Sequence, residues 1–215
     1  MTDETEPCCF DDWASYHAKR ARRRRLGVSA ELIGGLEAAG LRGRTILDVG
    51  CGAGGLVLEA LERGAGSATG VDLSAASIQE ARRIASERGL AARTSFEVAD
   101  GSVATLAPHD IVVLDKVFCC YADVDGLLRN SLAAARSVYG FSVPPSVGLR
   151  GAIRRAVARL RNAWFRLRRA KFGSFRTYVH DVRALDAGVR AAGFTPVYSR
   201  RRLAWDLAVY RRAEG

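Results

Sequence analysis

Residues 45–55 read TILDVGCGAGG, and with Gly43 just upstream the stretch gathers five glycines around a short apolar run. TILDV has the β-branched, apolar character of a buried parallel strand, and GGLVLEALERG (54–64) has helical periodicity with a closing glycine. Gly50, Gly52, Gly54 and Gly55 therefore stand at a strand-to-helix turn, where missing side chains let a ligand approach the backbone. The free N–H groups and positive dipole end of the following helix suit an anionic group.

Working outward, strand and helix patterns alternate. SATGVDL (67–73) is a second strand, and Ser74 is placed to cap a helix running to about residue 88, with Glu80 near capping-box spacing. RTSFEVAD (93–100) and DIVVLDKV (110–117) read as strands three and four. A helix over 123–136 and a fifth strand over 137–143 follow, stopped by Pro144 and Pro145. A helix over 182–193 precedes FTPVYSR and LAWDLAVYRR, close enough to form an antiparallel hairpin. Residues 10–40 carry two helical patterns. The alternation predicts one α/β domain with a seven-stranded, mostly parallel sheet. Its expected parts are a helical cap (1–40), a nucleotide-binding core (41–143), a basic lid (144–180) and a C-terminal helix and hairpin (181–215).

The chain has 215 residues, 48% of them hydrophobic, enough for a sizeable core. The start, MTDETEPCCFDDW, is acidic where a secretory signal would be basic and then apolar, so a cytoplasmic location is expected. The five cysteines are an odd number that includes two adjacent pairs. That suits neither a disulfide framework nor a spaced zinc site, and no metal is expected.

Gly50, Gly52 and Gly55 satisfy G-x-G-x-x-G, and Asp72 ends the second strand about 20 residues on, where a carboxylate can accept both hydroxyls of a ribose. A nicotinamide dinucleotide and a nucleoside without a 2′-phosphate both fit those features. The set LDVGCGAGG, GVDLS, VADG and IVVLD, in that order, resembles the class I S-adenosylmethionine-dependent methyltransferases. The resemblance implies a Rossmann-like fold with an antiparallel last strand, S-adenosyl-L-methionine as cofactor and S-adenosyl-L-homocysteine as product. It further implies that Asp48 and the Gly50, Cys51, Gly52, Gly54 turn hold the methionine end, Asp72 with Leu73 the ribose, and Asp100 with Gly101 the adenine. Asp115, closing strand four, joins this cofactor set.

FRTYVH, DVRALDAGVRAAGF, VVLDKVFCCY and FDDWASY are similar to segments of the Mg-protoporphyrin IX methyltransferase family. Where that family has a histidine before the tyrosine after strand four, this chain has Cys120 before Tyr121. The expected activity is methylation of a small anionic or planar acceptor, most often at oxygen. A carboxylate acceptor needs no base, whereas a phenol, alcohol or amine does; the candidates are Tyr16, His17, Tyr121 and His180. An RNA methyltransferase and a cofactor-binding protein without turnover are the alternatives. Nucleic acid is the weaker partner, because DKVFCCY lacks the Asn/Asp-Pro-Pro-aromatic motif of amino-methylating enzymes.

The net charge of +10 is concentrated in residues 18–25, with six Lys/Arg, and residues 149–171, with nine and no acid. In the second block Leu149, Ile153, Val157, Leu160, Trp164 and Leu167 recur at helical spacing, predicting an amphipathic helix. A lid over the pocket, a peripheral contact with anionic membrane and a clamp on nucleic acid are all open to such a helix. So is simple packing on the domain with the arginines solvated. The oligomeric state is not legible in the sequence.

Overall fold

The structure, a computed structural model, describes residues 10–168 and 175–213. Its seven strands are β1 (Thr45–Val49), β2 (Ser67–Asp72), β3 (Thr94–Val98), β4 (His109–Asp115), β5 (Ala135–Val143), β6 (Phe194–Arg201) and β7 (Asp206–Arg212). They form one sheet in the order β3-β2-β1-β4-β5-β7-β6. β7 runs antiparallel to both β5 and β6, so the other six strands point one way. The chain steps outward from β1 to β3 and then returns to β4 on the other side of β1. That reversal opens a crevice at the carboxyl ends of β1 and β4.

The helices are α1 (Ala14–Arg22), α2 (Val28–Ala38), α3 (Gly55–Glu62), α4 (Ala75–Glu87), α5 (Val124–Ala133), α6 (Gly148–Leu167) and α7 (Val182–Ala191). Successive strand residues bury against opposite layers, as a doubly covered parallel sheet requires. Ile111 and Val113 pack with α2, α3 and α4, while Val112 and Leu114 pack with α5 and α7. Asp side chains begin two of these helices: Asp123 accepts the Gly126 N–H at 2.9 Å, and Asp181 accepts that of Arg183 at 2.9 Å.

Ser74 caps α4 as its sequence predicts, its Oγ accepting the Ser77 N–H at 3.0 Å. Glu80 does not complete a capping box. Its Oε2 instead takes the Arg22 guanidinium at 2.6 Å, tying α4 to α1.

The cap expected over residues 1–40 is corrected at α2. Leu32, Ile33 and Leu36 are wholly inaccessible and pack on the sheet with α3, so α2 is a layer helix of the core. Of that segment's described residues, α1 and the short turn Asp11–Trp13 stand at the rim.

Of the arrangements open to the basic segment, α6 does not take the one that packs its apolar stripe on the domain. Its inner face is not the apolar stripe but Gly151, Ala158 and Phe165; a Cβ on Gly151 would stand 2.2 Å from the Ser146 carbonyl carbon, so only glycine permits this approach. The stripe points outward, with Leu149 77%, Leu160 72% and Leu167 86% exposed. Asn162 fastens the inner side, its amide donating to Thr177 O and accepting from Thr177 N, both at 2.8 Å.

Candidate cofactor and acceptor site

A cavity of about 560 Å³ lies over the carboxyl ends of β1, β2 and β4, roofed by α1 and α6. β1 delivers Asp48 and runs into the glycine turn. There Gly50 takes φ +80°, and a Cβ would lie 2.4 Å from Val117, so this position excludes any side chain on two counts. Gly50 and Cys51 N–H both donate to Val71 O, at 2.8 and 3.0 Å, fixing the turn to β2.

Asp72 completes that connection: its Oδ2 accepts the Gly52 N–H at 2.8 Å and its Oδ1 the Ser74 N–H at 2.9 Å. Burial raises its pKa above the ordinary carboxylate value, and the charge of Asp11 adds to this, against the two N–H bonds. Asp48 is 2% exposed, and its Oδ1 has no hydrogen-bond partner among the described residues. Burial pushes its pKa well up, with the charges of Asp115 and Asp72 adding and Lys116 opposing. A buried, partnerless carboxylate oxygen on a cavity wall is unfavourable in isolation and is relieved by a cationic ligand. The residues present thus fit a ligand with a positively charged amino-acid end, as S-adenosylmethionine has.

Asp115, at the end of β4, accepts from Ser29 Oγ at 2.5 Å, Lys116 Nζ at 3.0 Å and Ser142 Oγ at 2.6 Å. Lys116, whose sequence suggests only a solvated strand end, sits in this network at φ +65°, an uncommon conformation for a side-chain-bearing residue. Its Nζ lies 5.8 Å from the Trp205 ring centre, and the Arg154 guanidinium 5.7 Å.

Of the cofactor residues expected from sequence, Asp48, Gly50, Cys51, Gly52, Asp72, Leu73, Gly101 and Asp115 line the cavity; Gly54 and Asp100 do not. Gly54 faces Phe96 and Ala81 beneath the turn. The Asp100 carboxylate is taken by Ser102, whose N–H and Oγ donate at 2.9 and 2.8 Å, and by the Tyr121 hydroxyl. Burial opposes ionisation of Asp100, but the bonds from Tyr121 and Ser102 outweigh it and hold the pKa below the ordinary value. Burial pushes the Cys51 thiol pKa well up, and the Asp72 and Asp48 charges add to it, so it is a small neutral wall group.

Among the candidate bases, Tyr16, His17 and Tyr121 line the cavity. His17 keeps accessible surface there, yet the protein around it and the charges of Lys116 and Arg20 lower its pKa. His180 stands outside the wall, with Nε2 2.8 Å from the Tyr121 carbonyl oxygen and its ring stacked on Tyr178. Cys120 shares the wall with Cys119, their sulfurs 3.5 Å apart.

The sequence did not single out Ser29, Arg25, Arg154, Arg161 or Trp205, all on the wall. The one signal was spacing. Arg154, Val157, Ala158 and Arg161 recur at 3, 4 and 7 residues, one helical face, hidden among the other arginines of the segment. The cavity is divided in charge: Asp48, Asp72 and Asp115 on the sheet side, with Lys116 beside Asp115, and Arg20, Arg154 and Arg161 from the two roofing helices with Arg25 from the turn after α1.

Comparison with known proteins agrees with this geometry. The family described as "Methyltransferase domain" matches residues 41–146, from before β1 to just after β5. The ubiquinone biosynthesis O-methyltransferase of Alkalilimnicola ehrlichii is 49% identical over 97 residues, 44% of this chain and 34% of that protein. The ribosomal protein L11 methyltransferase of Yersinia pseudotuberculosis is 37% identical over 78 residues, 36% of this chain and 26% of that protein. The chain thus spans about a third or less of these relatives' length. The crystal structure of magnesium protoporphyrin IX methyltransferase from Synechocystis, with bound S-adenosylhomocysteine, superposes with a TM-score of 0.71 at 17% identity. That match covers 95% of this chain and 96% of that one. With the sheet order, the glycine turn and Asp72 in agreement, the matched residues 41–146 form a methyltransferase domain on the Rossmann-like methyltransferase fold.

Proposed function

We propose that this protein transfers a methyl group from S-adenosylmethionine to a small anionic or planar acceptor, at oxygen. The observation that carries the proposal is Asp48: a buried carboxylate oxygen without a protein partner, facing a cavity whose opposite wall is cationic. S-adenosylmethionine, when bound, supplies a sulfonium-activated methyl group. Asp48 would hold the cationic end and Asp72 the ribose, while the Gly50–Gly52 backbone gives the approach. Arg154 and Arg161 have no carboxylate partner among the described residues, so both are available to an acceptor's negative charge. An anionic oxygen acceptor arrives deprotonated, and the chain's work is then alignment within the cavity. If the acceptor carries a proton, His17 is placed on the wall to take it, with Tyr16 and Tyr121 beside the same space.

The peripheral contact with anionic membrane expected through residues 149–171 belongs to the same proposal; of that segment, 169–171 lie outside the described residues. No helix among the described residues is long and apolar enough to cross a membrane.

The test is calorimetry with S-adenosylhomocysteine, followed by a crystal structure of the complex. Binding with the homocysteine end at Asp48 and the ribose at Asp72 supports the proposal. A cavity that takes no nucleoside ends it.

A further inference from the structure

The outward stripe of α6 is the largest feature that the methyl-transfer site leaves unused. Leu149, Ile153, Val157, Leu160, Trp164 and Leu167 are between 38% and 86% exposed along one face of a 20-residue helix. Such a face is expected to be covered. At 3.6 residues per turn, Arg159 and Arg166 lie on one side of the stripe and Arg150 and Arg168 on the other, while Arg155 donates to the Ser146 carbonyl at 2.6 Å and Arg161 turns to the cavity. The helix contains no acidic residue.

Leu203, 89% exposed in the turn between β6 and β7, continues the patch at its amino-terminal end. Arg150 holds that turn, donating to the Arg202 carbonyl and to Asp206 Oδ1 at 2.8 Å.

We propose that this outward face of α6, with Leu203, docks in the headgroup region of an anionic lipid bilayer, the apolar stripe entering the acyl boundary and the two arginine rows meeting lipid phosphates. The proposal rests on the membrane contact put forward above and fixes which face makes it. An apolar ridge between two cationic rows, free of acids, is the pattern of an interfacial helix. A second copy laid on this face by a two-fold axis would set arginines against arginines. A nucleic acid would press its phosphates on the apolar ridge before reaching either row. The inward side of the same helix, through Arg154, Ala158 and Arg161, walls the cavity, and Val157 stands at the edge between the two faces, so docking seats the cavity directly behind the lipid surface.

The experiment is co-sedimentation of the full chain with phosphatidylcholine vesicles, with and without phosphatidylglycerol, alongside Trp164 fluorescence in vesicles of brominated lipid. We expect sedimentation with the anionic vesicles and quenching that disappears in Trp164→Phe. The pair Leu160→Ser and Leu167→Ser should weaken binding on the order of tenfold or more, and Arg159→Gln and Arg166→Gln by about fivefold per charge, with strong salt dependence. All four side chains are on the exposed face, and unchanged S-adenosylhomocysteine affinity of each variant shows that fold and cofactor site are intact. That control keeps failure of docking distinct from failure of the methyltransferase assignment. The proposal is overturned if the wild type stays in the supernatant with anionic vesicles, or if the serine variants sediment as it does. It is equally overturned if those substitutions instead dissociate a dimer in light scattering.

Discussion

The Gly52 N–H donates to Asp72 Oδ2 at 2.8 Å, so the carboxylate that ends β2 holds the turn that ends β1. Asp72 therefore serves two structures at once, and removing it should be felt in both. Asp72→Ala is expected to weaken S-adenosylhomocysteine binding about a hundredfold or more, since a charge-assisted contact is lost and the turn loosens. Asp72→Asn keeps an acceptor for one N–H and should retain more thermal stability than the alanine variant while still binding poorly. Calorimetry and melting curves on both variants separate the two roles; wild-type affinity in either would remove Asp72 from the cofactor site.

Asp48 leads to the opposite sign. Its folded pKa lies well above the unfolded value of 3.8 through burial, so the native state holds its proton longer than the unfolded chain does. This group's contribution is most favourable below the unfolded value and becomes a penalty as pH rises through the folded one. Asp48→Asn should therefore raise the melting temperature of the ligand-free protein near neutral pH. The gain is about 1–3 kcal/mol, or several degrees at this chain length. The same variant should bind S-adenosylhomocysteine poorly. A melting temperature that falls at neutral pH would contradict the buried, partnerless carboxylate.

At Gly50 the expectation is steric as well as conformational. Gly50→Ala meets Val117 at 2.4 Å and requires φ +80°, so a loss of about 2–4 kcal/mol is expected. Adding Val117→Ala should recover the steric share only. Full recovery in chemical denaturation would mean that the backbone angle is not a constraint.

Tyr121→Phe removes the hydroxyl bonded to Asp100 and to Ser102. The folded pKa of Asp100 is lowered, so its share of stability is present above the unfolded value and lost as pH falls through the folded one. The variant should be less stable by about 1–2 kcal/mol at neutral pH, with the difference shrinking under strong acid. The Asp100 carboxyl resonance should titrate at higher pH, which carbon-detected NMR reads directly. An unmoved titration would show that Ser102 alone sets it.

The first half of the molecule was written plainly in the chain. TILDV, the glycines, SATGVDL and Ser74 act within a few residues of one another, and their geometry follows from local backbone rules, so β1, the turn, β2 and the cap of α4 stand where the sequence puts them. What the chain left open was orientation. Helical spacing defines a stripe on α6 but carries no information on which side the protein lies; Gly151 and Phe165 won the interior by shape, at close quarters with Ser146. In the same way the apolar pattern of α2 could not say whether it capped the domain or floored it. The Ser29–Asp115–Lys116 network was invisible because Ser29 reaches Asp115 across 86 residues of chain. Asp100 and His180 carry the right side chains for a site and turn them to Tyr121 instead.

β7 lies between β5 and β6 in the sheet but follows both in the chain. On the ribosome, β5, with seven of its nine residues buried in the fold, therefore emerges with one flank hydrogen-bonded to β4 and the other bare until β7 has been made. Translation of the intervening 60-odd residues is the interval in which that flank can pair with a neighbouring nascent chain, and holdase capture would be needed most there.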